Sequence, residues 1–322
     1  MNRLRQDEAP VVDIHQHLWP ESLIAALRAR STPPRLRGWT LELAGEGEYA
    51  VDPGAHDADD RAELARSDGL DLALVSLSSP LGIESLTPAE AGDLIDAYHE
   101  GALALPEPFG AWAAACLTAV DAAVLSRELE RGFVGLQLPA TALLDRAGYE
   151  NAGPLLEVLE DARLPLMIHP GPVARETADG QPAWWPAIVS YVQQMHAAWF
   201  AFRVHGRPRH PRLRVCFALL AGLAPLHGER FAARAGPDVA GDRGVVDPGV
   251  FLDVSSYGTR AVDATVRVVG IDALVNGSDR PYAEPASLEL GPAPLHAIRS
   301  ANAMRLLYPK EVFDDLAIAS RA

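Results

Sequence analysis

Short apolar stretches alternate with longer amphipathic segments along most of this chain. The short stretches are rich in β-branched residues, as buried strands are, and the longer ones have the spacing of amphipathic helices. The pattern predicts eight strands: Val11–His15, Leu72–Leu77, Gly110–Ala115, Phe133–Leu138, Pro165–His169, Leu213–Leu219, Phe251–Val254 and Ala273–Gly277. It also predicts eight helices: Asp59–Ser67, Pro88–Leu105, Ala122–Arg131, Ala152–Ala162, Ile188–Val204, Pro225–Ala235, Ala261–Val269 and Pro294–Leu307.

The regular alternation of strand and helix predicts parallel βαβ units. Eight such units predict an α/β fold of the TIM-like (β/α)8 barrel type. The alternative is an open doubly wound sheet, but no glycine-rich phosphate fingerprint follows the first strand, which favours the barrel. We expect all 322 residues to form one domain, because barrels of this kind routinely reach that length.

Two connections are longer than simple loops, and both leave the carboxyl end of a strand. The loop after strand one runs from Trp19 to Asp57, with one short helix after Pro20, and the loop after strand five runs from Gly171 to Pro186. Barrel enzymes build their sites at these ends, and long loops there are usually functional. Four tryptophans in these loops either line a pocket or pin the loops to the barrel rim: Trp19, Trp39, Trp184 and Trp185.

Composition narrows the classes of function. A hydrophobic content of 48% allows a large core, yet no apolar run reaches the ~20 residues that a membrane-spanning helix needs. The formal net charge of −15 argues against nucleic acid, whose phosphates require a basic surface. Only Cys116 and Cys216 are present, too few for a disulfide framework. We therefore expect a cytoplasmic protein that acts on a small molecule, with neither nucleic acid nor a membrane as partner.

The end of the first predicted strand contains two histidines, in the segment Asp13-Ile14-His15-Gln16-His17. Residues two apart on a strand project to the same face. Both imidazoles are therefore expected in the barrel mouth, where they can bind one divalent ion. Asp13 lies deeper on the same face, where it either orients a ligand from behind or anchors the barrel.

Two further strand ends supply candidate ligands. His169 ends the fifth predicted strand, and as the third histidine in such a position it is a candidate third ligand. Asp279 follows the last strand, where its carboxylate can complete the coordination and act as general base on metal-activated water. The alternative for Asp279 is a turn or capping residue before Pro281.

These motifs resemble those of the amidohydrolase superfamily: Asp13-x-His15-x-His17, His169-Pro170, Gly277-Ser278-Asp279-x-Pro281 and Asn302-Ala303-x-Arg305-Leu306-Leu307. More narrowly, they resemble the branch that contains aminocarboxymuconate-semialdehyde decarboxylase and related decarboxylases and lactone hydrolases. The resemblance implies that His15, His17, His169 and Asp279 bind one divalent metal, usually zinc and sometimes manganese. It also leaves a homodimer open, since members of the superfamily are often dimers or larger.

Two positions sharpen this resemblance. Two-metal members carry a carboxylated lysine at the end of strand four, whereas this strand reads Gly135-Leu136-Gln137-Leu138, which favours a single metal. The branch also has a histidine at the end of strand six that activates water or polarises the substrate. After Val215-Cys216-Phe217-Ala218, this chain has Leu219 at that position.

The loss of that histidine leaves three interpretations. Asp279 acts as the sole general base, or the chain has left hydrolysis for decarboxylation, dehydration or a rearrangement, or another histidine replaces it: His196, His205 or His227. An acid–base group that is lost and not replaced typically costs ~10²–10⁴-fold in rate. Leu219 also makes one wall of the site apolar.

Several loop residues are candidates for the substrate pocket: Trp184, Trp185, Leu219, Tyr257 and Arg280. Three more charged residues are predicted in loops after strand ends: Arg175, Arg260 and Glu284. Any one of the arginines either clamps a substrate carboxylate through two hydrogen bonds or is a solvated loop charge.

The sequence therefore predicts a mononuclear metal-dependent hydrolase that acts on a small cyclic ester or amide through metal-activated water. A non-oxidative decarboxylase of a small unsaturated or aromatic acid is the alternative. A non-catalytic ligand-binding barrel is a third hypothesis, which Leu219 supports and the retention of four candidate metal ligands opposes.

Overall fold

The structure is a computed structural model that describes residues 9–174, 180–236, 246–285 and 287–308. Eight parallel strands alternate with helices, as the hydrophobic pattern predicts. The strands in chain order are β1 Val12–Gln16, β2 Arg35–Arg37, β3 Thr40–Leu43, β4 Gly47–Ala50, β5 Leu72–Val75, β6 Phe109–Ala111, β7 Leu136–Pro139, β8 Leu166–His169, β9 Val215–Phe217, β10 Val250–Asp253 and β11 Leu274–Val275. The eight predicted strands correspond to β1 and β5–β11.

The helices also follow the prediction, including the short helix expected after Pro20. In chain order they are α1 Glu21–Ala29, α2 Ala58–Ser67, α3 Pro88–Leu103, α4 Ala122–Glu130, α5 Arg146–Ala162, α6 Tyr191–Ala201, α7 Gly228–Ala235, α8 Thr259–Val269, α9 Pro292–His296 and α10 Asn302–Leu307. Aspartates begin α2, α4 and α5, because Asp57, Asp121 and Asp145 accept hydrogen bonds from backbone N–H groups of the first turn. Within the described ranges, no helix is long and apolar enough to cross a membrane.

The parallel strands lie in two sheets, ordered β1-β5-β6 and β11-β10-β9-β8-β7. Backbone contacts connect the sheets at both junctions. On one side, a parallel bridge pairs Gln16 with Arg280, and the Ile14 amide donates to the Asn276 carbonyl over 2.9 Å. On the other side, a bridge pairs Ala113 with Leu136. Consecutive strands are therefore neighbours from β1 round to β11.

The pairing register determines which side chains face inward. Gln137 of β7 pairs with Met167 of β8, and Pro139 pairs with His169, so the side chains of Gln137, Met167 and His169 lie on the same face. The opposite face of β9 packs on a helix, since Phe217 meets Trp199 of α6 with ring centroids 5.2 Å apart. Residues with the orientation of His169 therefore face the interior, and their neighbours face the helices.

The long connection after strand one differs from the prediction. It was expected to be a loop with one short helix, but it contains α1 and also an antiparallel sheet in the order β2-β3-β4. Leu36 and Leu41 are opposite each other in this sheet and are buried, while Gly38 turns the chain at φ +60°. Strands of three or four residues are too short for alternation to identify, which explains the omission.

The added sheet contacts the segment after strand five. Glu46 lies in the turn between β3 and β4, where it accepts hydrogen bonds from the hydroxyl groups of Tyr49 and Tyr191 at 2.9 Å. Tyr191 begins α6, so the two long connections meet at this carboxylate. Burial raises the pKa of Glu46, although the hydrogen bonds from the two tyrosines lower it.

Candidate metal centre

Three histidines and one aspartate converge at the carboxyl ends of the strands. The candidate ligand atoms of His15, His17, His169 and Asp279 all lie within 4.8 Å of one another. The Nε2 atom of His17 is 3.1 Å from that of His15 and 3.3 Å from that of His169. Oδ1 of Asp279 is 3.2 Å from His17 Nε2 and 3.5 Å from His15 Nε2.

The other ring nitrogen of each histidine is held by an acceptor. His15 Nδ1 donates to Oδ2 of Asp253 over 2.6 Å, and His17 Nδ1 donates to the Ser76 carbonyl over 3.1 Å. His169 Nδ1 donates to the Pro170 carbonyl over 2.9 Å. A carbonyl or carboxylate oxygen can only accept, so in each ring the proton is on Nδ1. The three Nε2 lone pairs therefore point toward one another.

This arrangement fits a divalent cation. The three imidazoles are buried, and their Nε2 lone pairs face each other and a carboxylate oxygen with no donor between them. Ligands about 2.0–2.2 Å from one ion lie roughly 3–3.5 Å apart, which matches the four separations of 3.1–3.5 Å that involve His17 or join His15 to Asp279. Nitrogen and carboxylate donors suit zinc and manganese. The residues present therefore fit one metal ion.

Burial and the neighbouring charges set the protonation of the candidate ligands. Burial alone would lower the pKa of His15, but the carboxylates of Asp253 and Asp279 raise it to about 9. Burial lowers the pKa of His17 and His169, which keeps both rings neutral and able to act as ligands. Burial would raise the pKa of Asp279, yet the adjacent histidines hold it below its ordinary value. The site therefore combines two neutral imidazoles, a His15 ring held between carboxylates, and an ionised Asp279.

The backbone before Asp279 is tied to β1. The Asp279 amide donates to the His15 carbonyl over 2.8 Å, and the residue has the left-handed φ of +61°, which aspartate tolerates better than most side chains. Asp13 accepts from the backbone amides of His15 and Ser278, both at 3.1 Å, and from the Gln16 side chain at 2.8 Å. Asp13 thus lies behind two ligands and joins the segments that carry them.

The profile of one family covers almost all of the described residues. It is the amidohydrolase family, and the match runs over residues 12–307. The chain belongs to the amidohydrolase family. The resemblance drawn from the motifs of this sequence is thereby confirmed. A sequence search of curated proteins finds no match.

Solved structures similar to this amidohydrolase-family chain agree along nearly their whole length. Metarhizium anisopliae IDCase has 19% identity and a TM-score of 0.75, over 95% of this chain and 98% of that one. The 5-carboxyvanillate decarboxylase of Sphingomonas paucimobilis has 17% identity and a TM-score of 0.73, over 93% and 99%. The dihydroxybenzoic acid decarboxylase of Polaromonas sp. JS666, with bound manganese and 2-nitroresorcinol, has 19% identity and a TM-score of 0.68, over 93% and 97%. At these identities the likeness establishes the fold alone.

The candidate pocket residues are not all beside the ligand cluster. The Arg280 guanidinium donates to Asp68 over 2.6 Å and to Glu284 over 3.0 Å, so these carboxylates already occupy it. Trp184 and Arg260 are exposed, while Leu219 is buried. The Trp184 and Trp185 rings contact each other at 5.8 Å, and Tyr257 is half-buried. Arg175 lies outside the described residues.

The other two loop tryptophans, Trp19 and Trp39, make contacts that hold the first long connection in place. Trp19 is buried, donates from Nε1 to Ser78 Oγ over 3.0 Å, and stacks on His56 with ring centroids 4.4 Å apart. The Arg28 guanidinium lies 4.8 Å from the centre of the Trp39 ring. These contacts favour the interpretation in which Trp19 and Trp39 fix the first long connection to its surroundings.

None of the three histidines considered as replacements for the strand-six histidine joins the ligand cluster. His196 and His227 pack on each other with ring centroids 5.0 Å apart, and His205 lies 6.4 Å from the Tyr149 ring. Leu219 follows β9, where the Ala218 amide donates to the Ile168 carbonyl of the strand that carries His169. The apolar residue is therefore next to the strand of a candidate ligand.

Sequence reasoning missed two side chains of the site. Asp253 ends β10 and is completely buried; an aspartate after the apolar run Val250-Phe251-Leu252 was the available signal. Tyr282 places its ring 5.4 Å from that of His17 and is half-exposed, so it faces both a candidate ligand and solvent. An aromatic residue three positions after Asp279 could have indicated it.

Proposed function

We propose that this chain is a metal-dependent decarboxylase of a small unsaturated or aromatic carboxylic acid. The observation that carries the proposal is the composition of the ligand cluster. It contains three histidines and one carboxylate, and among the described residues no further histidine or carboxylate joins them. This is the alternative from the sequence, preferred here over hydrolysis of a cyclic ester or amide.

The number of proton transfers favours decarboxylation. Hydrolysis of an ester or amide takes a proton from water and gives one to the leaving group, so it needs two transfers, through one residue in turn or through two. Decarboxylation breaks one carbon–carbon bond, releases carbon dioxide, and leaves an electron pair on carbon that takes up one proton. Asp279 can serve a reaction that needs a single proton carrier, and Leu219 supplies none.

His15, His17, His169 and Asp279 would hold the metal, which supplies a Lewis acid for the oxygen atoms of the substrate when it is bound. Asp253, Ser76 and Pro170 keep the imidazoles in the tautomer that leaves Nε2 free. Asp279, ionised in the resting site, would take up one proton from solvent and pass it to the carbon that loses the carboxyl group. Leu219 would keep water away from the carbanion-like carbon.

The similar structures support the reaction class and the metal. Two of them are decarboxylases of substituted benzoic acids by name, and one holds manganese. We therefore propose manganese as the resident ion, with zinc as the alternative that the same ligands accommodate. We propose further that the eight strands close into a single (β/α)8 barrel, which the contacts at both sheet junctions support.

The experiment offers manganese-loaded protein a panel of hydroxybenzoic and unsaturated dicarboxylic acids and measures carbon dioxide release. At least one acid should be decarboxylated, and Asp279→Asn should lower the rate by at least about 10²-fold. Asp263→Asn is the matched control, because Asp263 is an exposed helical carboxylate paired with Arg267. Release from no acid, together with hydrolysis of lactones or cyclic amides, would return the assignment to hydrolysis.

A further inference from the structure

A second polar group is buried near the ends of β5 and β7. We call it the Ser79 cluster; it consists of Ser79, Glu84 and Gln137, each at most 1% exposed. Ser79 and Glu84 belong to the short turns after β5, and Gln137 is within β7. None of these residues has a function in the proposed reaction so far.

The hydrogen bonds inside the Ser79 cluster fix its orientation. The Ser79 hydroxyl donates to Oε1 of Glu84 over 2.5 Å. Nε2 of Gln137 donates to Ser79 Oγ over 3.0 Å and also to the Leu77 carbonyl. Since that carbonyl can only accept, the NH₂ group of Gln137 must face it, and Oε1 must point the other way.

Two oxygen atoms of the cluster have no partner. Among the described residues, Oε2 of Glu84 and Oε1 of Gln137 are buried without a hydrogen bond. Such atoms are rare in folded proteins, because a buried polar atom has lost its bond to water. Both belong to groups that contact the same Ser79 oxygen, so the carboxyl and carboxamide are adjacent.

The Ser79 cluster faces the same interior as the metal ligands. Gln137 pairs with Met167, two residues before His169, and shares its face of the sheet. Ser79 comes three residues after Ser76, whose carbonyl accepts from His17. The candidate ligands come from β1, β8 and the segment after β11, whereas the Ser79 cluster comes from β7 and the turns after β5. The two groups therefore occupy different parts of the interior.

We propose that the Ser79 cluster binds a hydroxyl group of the substrate, through Glu84 Oε2 and Gln137 Oε1. A hydroxyl group donates one hydrogen bond and accepts others, so it can donate to the Gln137 oxygen and accept from a protonated Glu84. Burial raises the pKa of Glu84 to about 7, which is consistent with a carboxyl group that carries a proton on its free oxygen. The inference rests on the proposed function, because it takes the substrate to be a hydroxylated acid.

The test compares matched ligands. Isothermal titration calorimetry on the manganese-loaded protein measures the Kd of 2-, 3- and 4-hydroxybenzoate and of the three corresponding methoxybenzoates, which lack the donor. At least one hydroxybenzoate should bind about tenfold more tightly than its methyl ether. Gln137→Met and Glu84→Leu should reduce that ratio to about twofold or less. Glu84→Gln, which keeps a donor and an acceptor, should retain it.

Thr265→Val is the control, since Thr265 is buried on α8 and bonds only within its helix. It should leave the ratio unchanged. A wild-type protein without hydroxyl preference would overturn the proposal, and so would a preference that survives both Gln137→Met and Glu84→Leu. The cluster would then hold only an ordered water. Carbon dioxide release is measured separately, so a preserved hydroxyl preference without decarboxylation would overturn the proposed function and not this assignment.

Discussion

The Nδ1–H of His15 donates to Oδ2 of Asp253 over 2.6 Å, and both side chains are completely buried. His15 lies in β1 and Asp253 ends β10, so the contact joins strands that are far apart in the sequence. The carboxylate fixes the ring and increases the basicity of Nε2, which is the candidate ligand atom. The strength of metal binding should therefore depend on a residue that does not touch the metal.

Asp253→Asn should weaken manganese binding by about 10–100-fold, because an amide orients the ring less firmly and removes the negative charge behind it. Competition with a fluorescent chelator measures the affinity. The control is Asp263→Asn, which neutralises an exposed carboxylate on α8 and should leave the affinity unchanged. Equal affinities of the Asp253→Asn variant and the wild type would contradict the orienting function of Asp253.

Manganese should raise the melting temperature of the wild type by several degrees. A ligand that binds only the folded state at 100 times its Kd adds about 2.7 kcal/mol of stability. For a chain of this size, that corresponds to several degrees in Tm. His169→Ala should lose most of the shift, whereas His296→Ala, which removes an exposed histidine on α9, should keep it. Thermal scans with and without manganese measure both; an undiminished shift in His169→Ala would argue against His169 as a ligand.

Glu84 should make stability depend on pH. Its pKa is raised from 4.5 to about 7, so between these values the folded state holds a proton that the unfolded state has released. Raising the pH therefore favours unfolding until the folded carboxyl has ionised, and the destabilisation is largest above pH 7.

Glu84→Gln removes this titration. Relative to the wild type, it should gain about 3 kcal/mol of unfolding free energy between pH 4.5 and pH 8. Urea unfolding at several pH values measures the difference. The same comparison for Glu63→Gln, which replaces an exposed glutamate on α2, provides the control. A pH-independent difference between the Glu84 variant and the wild type would show that Glu84 ionises normally.

The four candidate ligands could be predicted because each follows from a local pattern. His15, His17 and His169 stand at the ends of apolar strands, and Asp279 follows another. Parallel strands that alternate with helices bring such ends together, so spacing and order were sufficient. The expectation of a single metal ion came from the resemblance to a family, because two-metal members carry a lysine that this chain lacks.

The partners of these residues could not be predicted in the same way. Asp253 and Gln137 occupy positions where a buried strand shows only a single polar residue, and the sequence does not say which distant atom it meets. The sheet of β2, β3 and β4 was missed for a different reason. Its strands are stabilised by pairing and by the burial of Leu36 and Leu41, and each is shorter than the window in which alternation can be recognised.

The segment after β9 has an unusual backbone that the apolar sequence Leu219–Leu223 does not indicate. Five consecutive residues have left-handed φ angles between +47° and +60°, and only Gly222 among them is a glycine. Each of the other four carries a Cβ in a conformation that costs roughly 1–2 kcal/mol. Packing against α6 must offset this cost, since an ideal Cβ at Gly222 would lie 2.4 Å from the Val192 carbonyl oxygen.

Gly222→Ala should therefore destabilise the protein by at least about 2 kcal/mol, because it adds a left-handed penalty and forces α6 away from the segment. Gly92→Ala is the matched control. Gly92 lies inside α3, has nothing within 4 Å of an ideal Cβ, and should gain about 0.5–1 kcal/mol when replaced by alanine. Urea unfolding of both variants measures the expected loss of stability in Gly222→Ala and the expected gain in Gly92→Ala. Gly222→Ala without loss of stability would contradict this prediction. It would mean that the segment Leu219–Leu223 packs less tightly against α6 than the approach to Val192 indicates.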